Sequence, residues 1–190
     1  MNKIIIIGAG GHAMSCIDII LSVKKFKIYG IINKTSKALL NYKYLGNDRS
    51  LVNHRTKCKY AFIGIGQIRS SDNRIKIYKK LKSLKYELPK IISKKSTVSN
   101  FSHIEESTIV MHNSHIGPKV NIGKNCIINT AAILEHECNI EDHCHISTNV
   151  TLNGNVNIGK GSFIGSGSII KEGVKIPPFS FIKMGSVVKT

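Results

Sequence analysis

From Ile92 to Val188, every sixth residue of the chain is Ile, Val or Leu, without a miss. A second register, two residues earlier, holds only small or β-branched residues. It runs from Ser102 through Thr108, Ser114, Val120, Cys126, Ala132, Cys138 and Cys144 to Ser186. A period of six fits neither a helix nor the simple alternation of a half-buried strand. It predicts a coil of very short strands that turns a corner after each hexapeptide, which is a parallel β-helix. With three hexads per turn, residues 92–190 make about five turns and leave no room for an extruded loop. Any site must therefore come from outward side chains of the coil, from a neighbouring copy, or from the preceding residues.

Before the hexads the pattern differs. Lys3–Ile7 reads as a buried strand, Gly8–His12 as a glycine turn, and Met14–Val23 as a helix with Ile17, Ile20 and Leu21 on one face. Lys27–Ile32 and Tyr60–Gly66 predict two more strands, and Asp72–Leu84 a second helix. Strand, glycine turn, helix, strand describes a small Rossmann-like parallel α/β domain. The two patterns exchange just after Glu87-Leu88-Pro89. The expected organisation is thus an α/β domain over 1–91 and an all-β coil over 92–190.

Composition narrows the class. With 42% hydrophobic residues the chain should fold rather than stay disordered. Its apolar runs are far shorter than the roughly 18 to 20 residues of a membrane span. Met1-Asn2-Lys3 leads straight into a strand with no small-residue cleavage site, so a cytoplasmic, non-membrane protein is expected. The five cysteines form no disulfide framework. Cys126, Cys138 and Cys144 fall in the small register and should point inward, as reduced thiols filling space. The net charge of +17 is concentrated before residue 95, with one run from Arg74 through Lys76, Lys79, Lys80, Lys82, Lys85, Lys90 and Lys94 to Lys95. Nucleic-acid binding would call for interleaved aromatics, a zinc module or an RNP-type motif, and none is present. A solvated basic helix is the simpler reading. Such a field would also attract polyanionic small molecules such as nucleotide sugars and coenzyme A.

Two segments carry candidate chemistry. Gly8-x-Gly10-x-x-Ala13 follows a strand and opens a helix, where backbone N–H groups can approach a phosphate. A dinucleotide site would want an acidic residue after the second strand, and Asn33-Lys34 stands there instead. This argues for a single nucleotide or nucleotide sugar rather than NAD. The second segment, Glu135-His136-Glu137-Cys138-Asn139-Ile140-Glu141-Asp142-His143-Cys144-His145, resembles a metal site when read linearly. The period separates its members: Cys138 and Cys144 point inward, His136 and His145 outward. No two coil histidines are five residues apart, as the zinc-binding β-helix enzymes of the carbonic anhydrase type require, so no metal is expected. An outward histidine followed by a carboxylate remains a general-base arrangement. On spacing alone His136 is either that base or a surface residue, as His103, His112, His115 and His143 are expected to be.

Gly8-Ala9-Gly10-Gly11-His12-Ala13, the Phe62-Ile63-Gly64-Ile65-Gly66 strand and a coil bearing Asn129-Thr130 and Glu135-His136-Glu137-Cys138 together resemble one family. It is that of the bacterial sugar acyltransferases, which includes UDP-4-amino-sugar N-acetyltransferases of protein glycosylation and sialic acid O-acetyltransferases. The resemblance implies a left-handed coil and a homotrimer with acetyl-CoA between adjacent prisms. It implies acetylation of a nucleotide-linked amino sugar in surface glycan or glycoprotein biosynthesis. His136 would be the general base and Glu137 its support. His145, Ser166 and Met184 would line the route of the cofactor. Gly10, Gly11, His12 and Gly66 would bind the nucleotide sugar, together with Asn33 and Lys34 where the family commonly has Asp. The coil also lacks the family's Gly-x-Pro-Ala tail. Leu45-Gly46-Asn47-Asp48 and Ile146-Ser147-Thr148-Asn149-Val150 lean toward O-acetylation of a sialic-acid-like sugar, and His136-Glu137-Cys138 toward N-acetylation. A non-catalytic nucleotide-sugar-binding scaffold is the remaining alternative.

Overall fold

The computed structural model describes residues 1–36 and 39–190. Strand β1 (Asn2–Ile7) lies between β2 (Phe26–Ile32) and β3 (Tyr60–Ile63), all parallel. Helices α1 (Gly11–Ser22), α2 (Leu51–His54) and α3 (Asp72–Ser83) complete this part. The Ile4–Ile7 run is uninterrupted because both faces of the strand are covered. Ile4 and Ile6 pack toward α1, while Ile5 and Ile7 pack toward Leu51, Ile77 and Leu81. Helix α1 starts three residues earlier than its apolar periodicity suggests, with an extended Gly10 at its N-cap. Gly11 and His12 are weak helix formers and hide that first turn in the sequence. Strand β3 stops three residues short of Gly66.

The coil is a left-handed parallel β-helix of seventeen two-residue strands, from β4 (Ile91–Ile92) to β20 (Val187–Val188). They stack into three parallel sheets, the faces of a prism. The six-residue aliphatic register fills the interior, where Val110, Ile116, Ile128, Leu134, Ile146, Leu152, Ile164 and Ile170 are fully buried. The small register does more than fill space. Its hydroxyls donate to carbonyls fifteen residues ahead on the next rung: Thr108 to Gly123 (2.7 Å), Ser114 to Asn129 (2.9 Å) and Ser168 to Lys183 (2.9 Å). Thiols repeat the contact, Cys126 to Glu141 (3.2 Å), Cys138 to Asn153 (3.1 Å) and Cys144 to Gly159 (3.2 Å). The chain uses Cys where Ser would serve.

A third register sits at the corners. Every sixth residue from Ser107 to Gly185 has a φ near +60°, including Asn113, Asn125, Ala131, Glu137, His143 and Gly161. This conformation costs a side-chain-bearing residue about 1 kcal/mol or more, least for Asn and nothing for Gly. Apart from that of Lys119, the corner N–H groups are bonded to the rung below, as Glu137 N–H is to the Pro118 carbonyl (3.0 Å).

The three faces differ in what they present. The first carries Ile91, Ile109 and Ile127, buried against the α1 layer, and then His145, Phe163 and Phe181. The second carries Thr97, His115, Ile133, Thr151, Ile169 and Val187. The third carries His103, Asn121, Asn139, Asn157 and Lys175.

A polar seam ties the α/β layer to the coil. Arg74 is not part of a solvated basic face: it is 1% exposed. Its guanidinium donates to the carbonyls of Ile63 (3.2 Å), Ile65 (2.5 Å) and Asn125 (3.0 Å) and to Asn125 Oδ1 (2.6 Å). Helical spacing from Arg74 to Ile77 and Leu81 puts the cation on the buried stripe of α3, while Lys76 and Lys79 stay exposed. His143, expected at the surface, is also buried. Asn125 Nδ2 donates to its Nδ1 (2.9 Å), and Tyr78 lies edge-on at 5.3 Å. His112 is likewise engaged, accepting from Ser93 Oγ (2.6 Å) and donating to Asp18 (3.1 Å).

Candidate functional site

Five glycines shape the first component. Gly8–His12, Asn33, Lys34, Gly64–Gly66 and Asn73 line an open cavity of about 410 Å³. A Cβ on Gly64 would lie 3.0 Å from that of Ala13, so the glycine lets α1 approach β3 closely. Side chains at Gly10 and Gly11 would meet nothing within 4 Å, which leaves the backbone there open to a ligand. The α1 N-terminus has no side-chain cap and no acidic residue in its first turn. Its first N–H groups are therefore free to face an anion, and the helix dipole favours one. Lys34 adds a cation, and no carboxylate lines the cavity among the described residues. All six residues singled out by the glycine motif and the second strand end (Gly10, Gly11, His12, Asn33, Lys34 and Gly66) share this wall. Asn33 spends its amide on Thr35, 3.1 Å from the carbonyl and 3.2 Å from the hydroxyl, rather than on the cavity. Asn47 accepts from the Arg49 N–H, so the Gly46-Asn47-Asp48 segment forms a tight turn.

His145 points out from the coil, as its register requires, yet the α/β layer covers it to 6% exposure. Its Nδ1 donates to the Gln67 carbonyl (2.6 Å), which can only accept. That fixes Nε2 as an acceptor, and Asn129 Nδ2 donates to it (3.1 Å). The amide is oriented in turn, because Asn129 Oδ1 accepts from the Thr130 N–H (2.8 Å). Burial holds the His145 pKa down to about 4. The imidazole is neutral, and its ring centroid lies 6.5 Å from that of His12. Gln67 Nε2 also donates to the His143 and Gly161 carbonyls, at 3.0 and 3.2 Å. The residue next to Gly66 thus clamps the cavity edge to the coil. Nothing in the sequence pattern marks Gln67.

His136 stands at the corner between the second and third faces, largely exposed. Its Nδ1 donates to Glu137 Oε2 (3.1 Å), leaving Nε2 with the lone pair. Glu137 is a left-handed corner residue with φ +61° and also meets Lys119 Nζ at 3.7 Å. One rung away, eighteen residues on, is Gly154. A Cβ there would come within 2.6 Å of His136 Nε2, so the glycine gives the imidazole its room. Rung arithmetic on the sequence could have found this pair. The acids of the same segment brace the coil instead: Asp142 accepts from Lys124 N–H (2.7 Å) and Glu141 from Lys160 N–H (2.8 Å). All five cysteines are buried and unpaired, so none is placed as an exposed nucleophile. Among the described residues, no three His, Cys, Asp or Glu side chains are grouped to hold a metal ion, and no helix is long and apolar enough to cross a membrane.

Ser166 bonds Ser147 through their hydroxyls (2.8 Å) at the corner between the first and second faces. Met184, 79% exposed, follows one rung later on that edge. A single chain therefore does not assemble the candidate residues into one centre. The glycine cavity and His145 adjoin the first face, Ser166 and Met184 follow one edge, and His136 with Glu137 occupies another.

Comparison with known proteins matches residues 3–81 to the PglD N-terminal domain family and residues 137–172 to the bacterial transferase hexapeptide repeats. Among solved structures, the chain is similar to a mutant perosamine N-acetyltransferase from Caulobacter crescentus in complex with CoA and GDP-perosamine. The identity is 28% over 100% of this chain and 89% of that one, with a TM-score of 0.94. The acetyltransferase domain of PglB from Neisseria gonorrhoeae shares the fold at 23% identity and a TM-score of 0.90, covering 100% and 92%. WeeI from Acinetobacter baumannii does so at 19% identity and a TM-score of 0.77, covering 100% and 97%.

Proposed function

We infer that this chain is one of the bacterial sugar acyltransferases that join a PglD-type N-terminal domain to a left-handed hexapeptide coil. From that premise we propose that it transfers the acetyl group of acetyl-CoA to the amino group of a nucleotide-linked sugar in surface glycan or glycoprotein synthesis. The glycine cavity takes the nucleotide sugar through its diphosphate, using the α1 N-terminus and Lys34. The cofactor lies along the edge of Ser166 and Met184 with its acyl end toward His145.

His136 Nε2 accepts a proton from the sugar amine as the nitrogen attacks the thioester carbonyl. The C–N bond forms, the C–S bond breaks, and the coenzyme A thiolate leaves and takes up a proton. Glu137 accepts from Nδ1–H and stabilises the imidazolium formed at that moment. The observation that carries this reading is the exposed His136–Glu137 pair, with Nδ1 against the carboxylate and Nε2 given space by Gly154. Because His136 and the cavity occupy different sides of one prism, the site is completed between subunits, as in a homotrimer. The boundary near residue 91 then separates nucleotide-sugar binding from the catalytic coil.

The test is a panel of nucleotide-linked amino sugars, GDP-perosamine among them, and of sialic acids, with acetyl-CoA and detection of one added acetyl group by mass. N-acetylation of a nucleotide sugar, lost about 10²- to 10⁴-fold in His136→Ala, is expected. Acetylation confined to sialic acid hydroxyls would select the O-acetyltransferase reading. Binding of a nucleotide sugar with no acetyl transfer would select a scaffold. Full activity in His136→Ala would remove the general base.

A further inference from the structure

His12 sits in the cavity wall one helical turn before Cys16, and the ring Nε2 is 3.4 Å from the fully buried thiol. Burial, the Arg74 cation and the neighbouring His145 hold the His12 pKa down to about 3. Burial raises the Cys16 thiol to about 12. Both groups are neutral, so one proton decides their contact: S–H toward Nε2, or Nε2–H toward sulfur. A thioether or thiol sulfur is a weak acceptor, whereas the imidazole lone pair is a good one. The first arrangement leaves Nδ1–H to serve the cavity. The cavity also needs donors, since its described lining holds Lys34 and no carboxylate.

Resting on the reading of this cavity as the nucleotide-sugar site, we propose that Cys16 is a positioning residue. It holds His12 in the Nδ1–H tautomer, so that the imidazole enters the cavity as an uncharged hydrogen-bond donor to an oxygen of the sugar nucleotide. An N–H at that point discriminates by chemistry. It donates to a phosphate or hydroxyl oxygen and repels an ammonium, which turns the amino group of the substrate away from His12. The contact contributes affinity and orientation, and it takes no part in moving the proton that His136 accepts.

The variants are Cys16→Val, which removes the donor, and Cys16→Ser, which keeps one; Cys16→Ala is a second deletion should valine not fold. With GDP-perosamine and acetyl-CoA, Cys16→Val should raise KM for the sugar nucleotide about 3- to 12-fold, the worth of one neutral hydrogen bond. The values of kcat and of KM for acetyl-CoA should stay within about twofold, and Cys16→Ser should restore the sugar nucleotide KM. Nitrogen-15 spectra of His12 should show the Nδ1–H tautomer in the wild type and a mixture in Cys16→Val. An Nε2–H tautomer in the wild type would overturn the proposal, and so would an unchanged KM in both deletions. If the wild type acetylates no nucleotide sugar, the reading of the cavity fails instead. The His12 spectrum with and without GDP then decides the tautomer and the ligand contact independently.

Discussion

Arg74 offers the sharpest test of how the two parts are joined. Replacing it with Met keeps an unbranched apolar stem and removes the guanidinium with every donor. Four contacts are lost: the carbonyls of Ile63, Ile65 and Asn125, and Asn125 Oδ1. Each buried acceptor left without a donor costs about 1 to 3 kcal/mol. Against this, the variant no longer buries a cation that lacks a carboxylate partner, a burial costly enough to bring its pKa down to about 10. Taking three orphaned carbonyls and subtracting a few kcal/mol for the charge leaves a net loss of roughly 3 to 5 kcal/mol. At about 2 to 4 °C per kcal/mol for a chain of this size, the midpoint should fall by on the order of 10 °C. Urea and thermal unfolding would measure it. Arg74→Lys keeps the charge but loses the fork, and should recover less than half. A loss below about 1 kcal/mol in Arg74→Met would refute the reasoning, because it would mean water satisfies the seam without the guanidinium.

Four further outcomes are expected. Gly154→Val should cut acetyl transfer by about tenfold or more while leaving thermal stability near wild type, since its Cβ displaces the exposed His136 ring and the backbone φ there is negative. Ala131→Gly should stabilise the protein by about 0.5 to 1 kcal/mol in urea melts, because Ala131 is held at φ +57°. Ala132→Gly, at a fully buried interior position, should destabilise. Acid should unfold the protein early. His145 is depressed to about 4 in the fold, so the unfolded chain binds its proton first, below about 6.5. Stability is then full above pH 6.5 and declines as pH falls toward 4, by about 3 kcal/mol for His145 alone. His12 and His143, depressed to about 3 and about 4, add to the slope. Stability that holds constant from pH 7 to pH 4.5 would contradict the burial of these rings.

The coil was readable because its interior repeats: a residue every six positions has one environment, so periodicity alone sorts inward from outward. The same arithmetic separated Cys138 and Cys144 from His136. What periodicity cannot show is what lies over an outward residue. His143 and His145 are outward by register and buried in fact, because α3 and Gln67 cover them. Arg74 read as one more lysine-like charge for the same reason: its carbonyl partners come from residues 63 to 125. The corner register was present in the sequence as recurring Asn and Gly, but Ser107, Lys119, Ala131, Glu137, His143 and Phe179 interrupt it and mask its conformation. His136 was singled out by family likeness alone; that Gly154 lies against its ring needed the rung spacing of eighteen.

The hexapeptide is also a code with reserved and unreserved letters. Within each six, the aliphatic, small and corner positions are committed to the coil. His136, Gly154, Ser166 and Met184 all share the single position just ahead of the corner residue. Residues there can be exchanged without touching the interior, so under the proposed function substrate preference can drift while the scaffold stays constant. Glu137 is the exception: it serves the imidazole from a corner position, where a side chain is paid for in backbone strain. That one residue is where the coil and the proposed chemistry compete for the same letter.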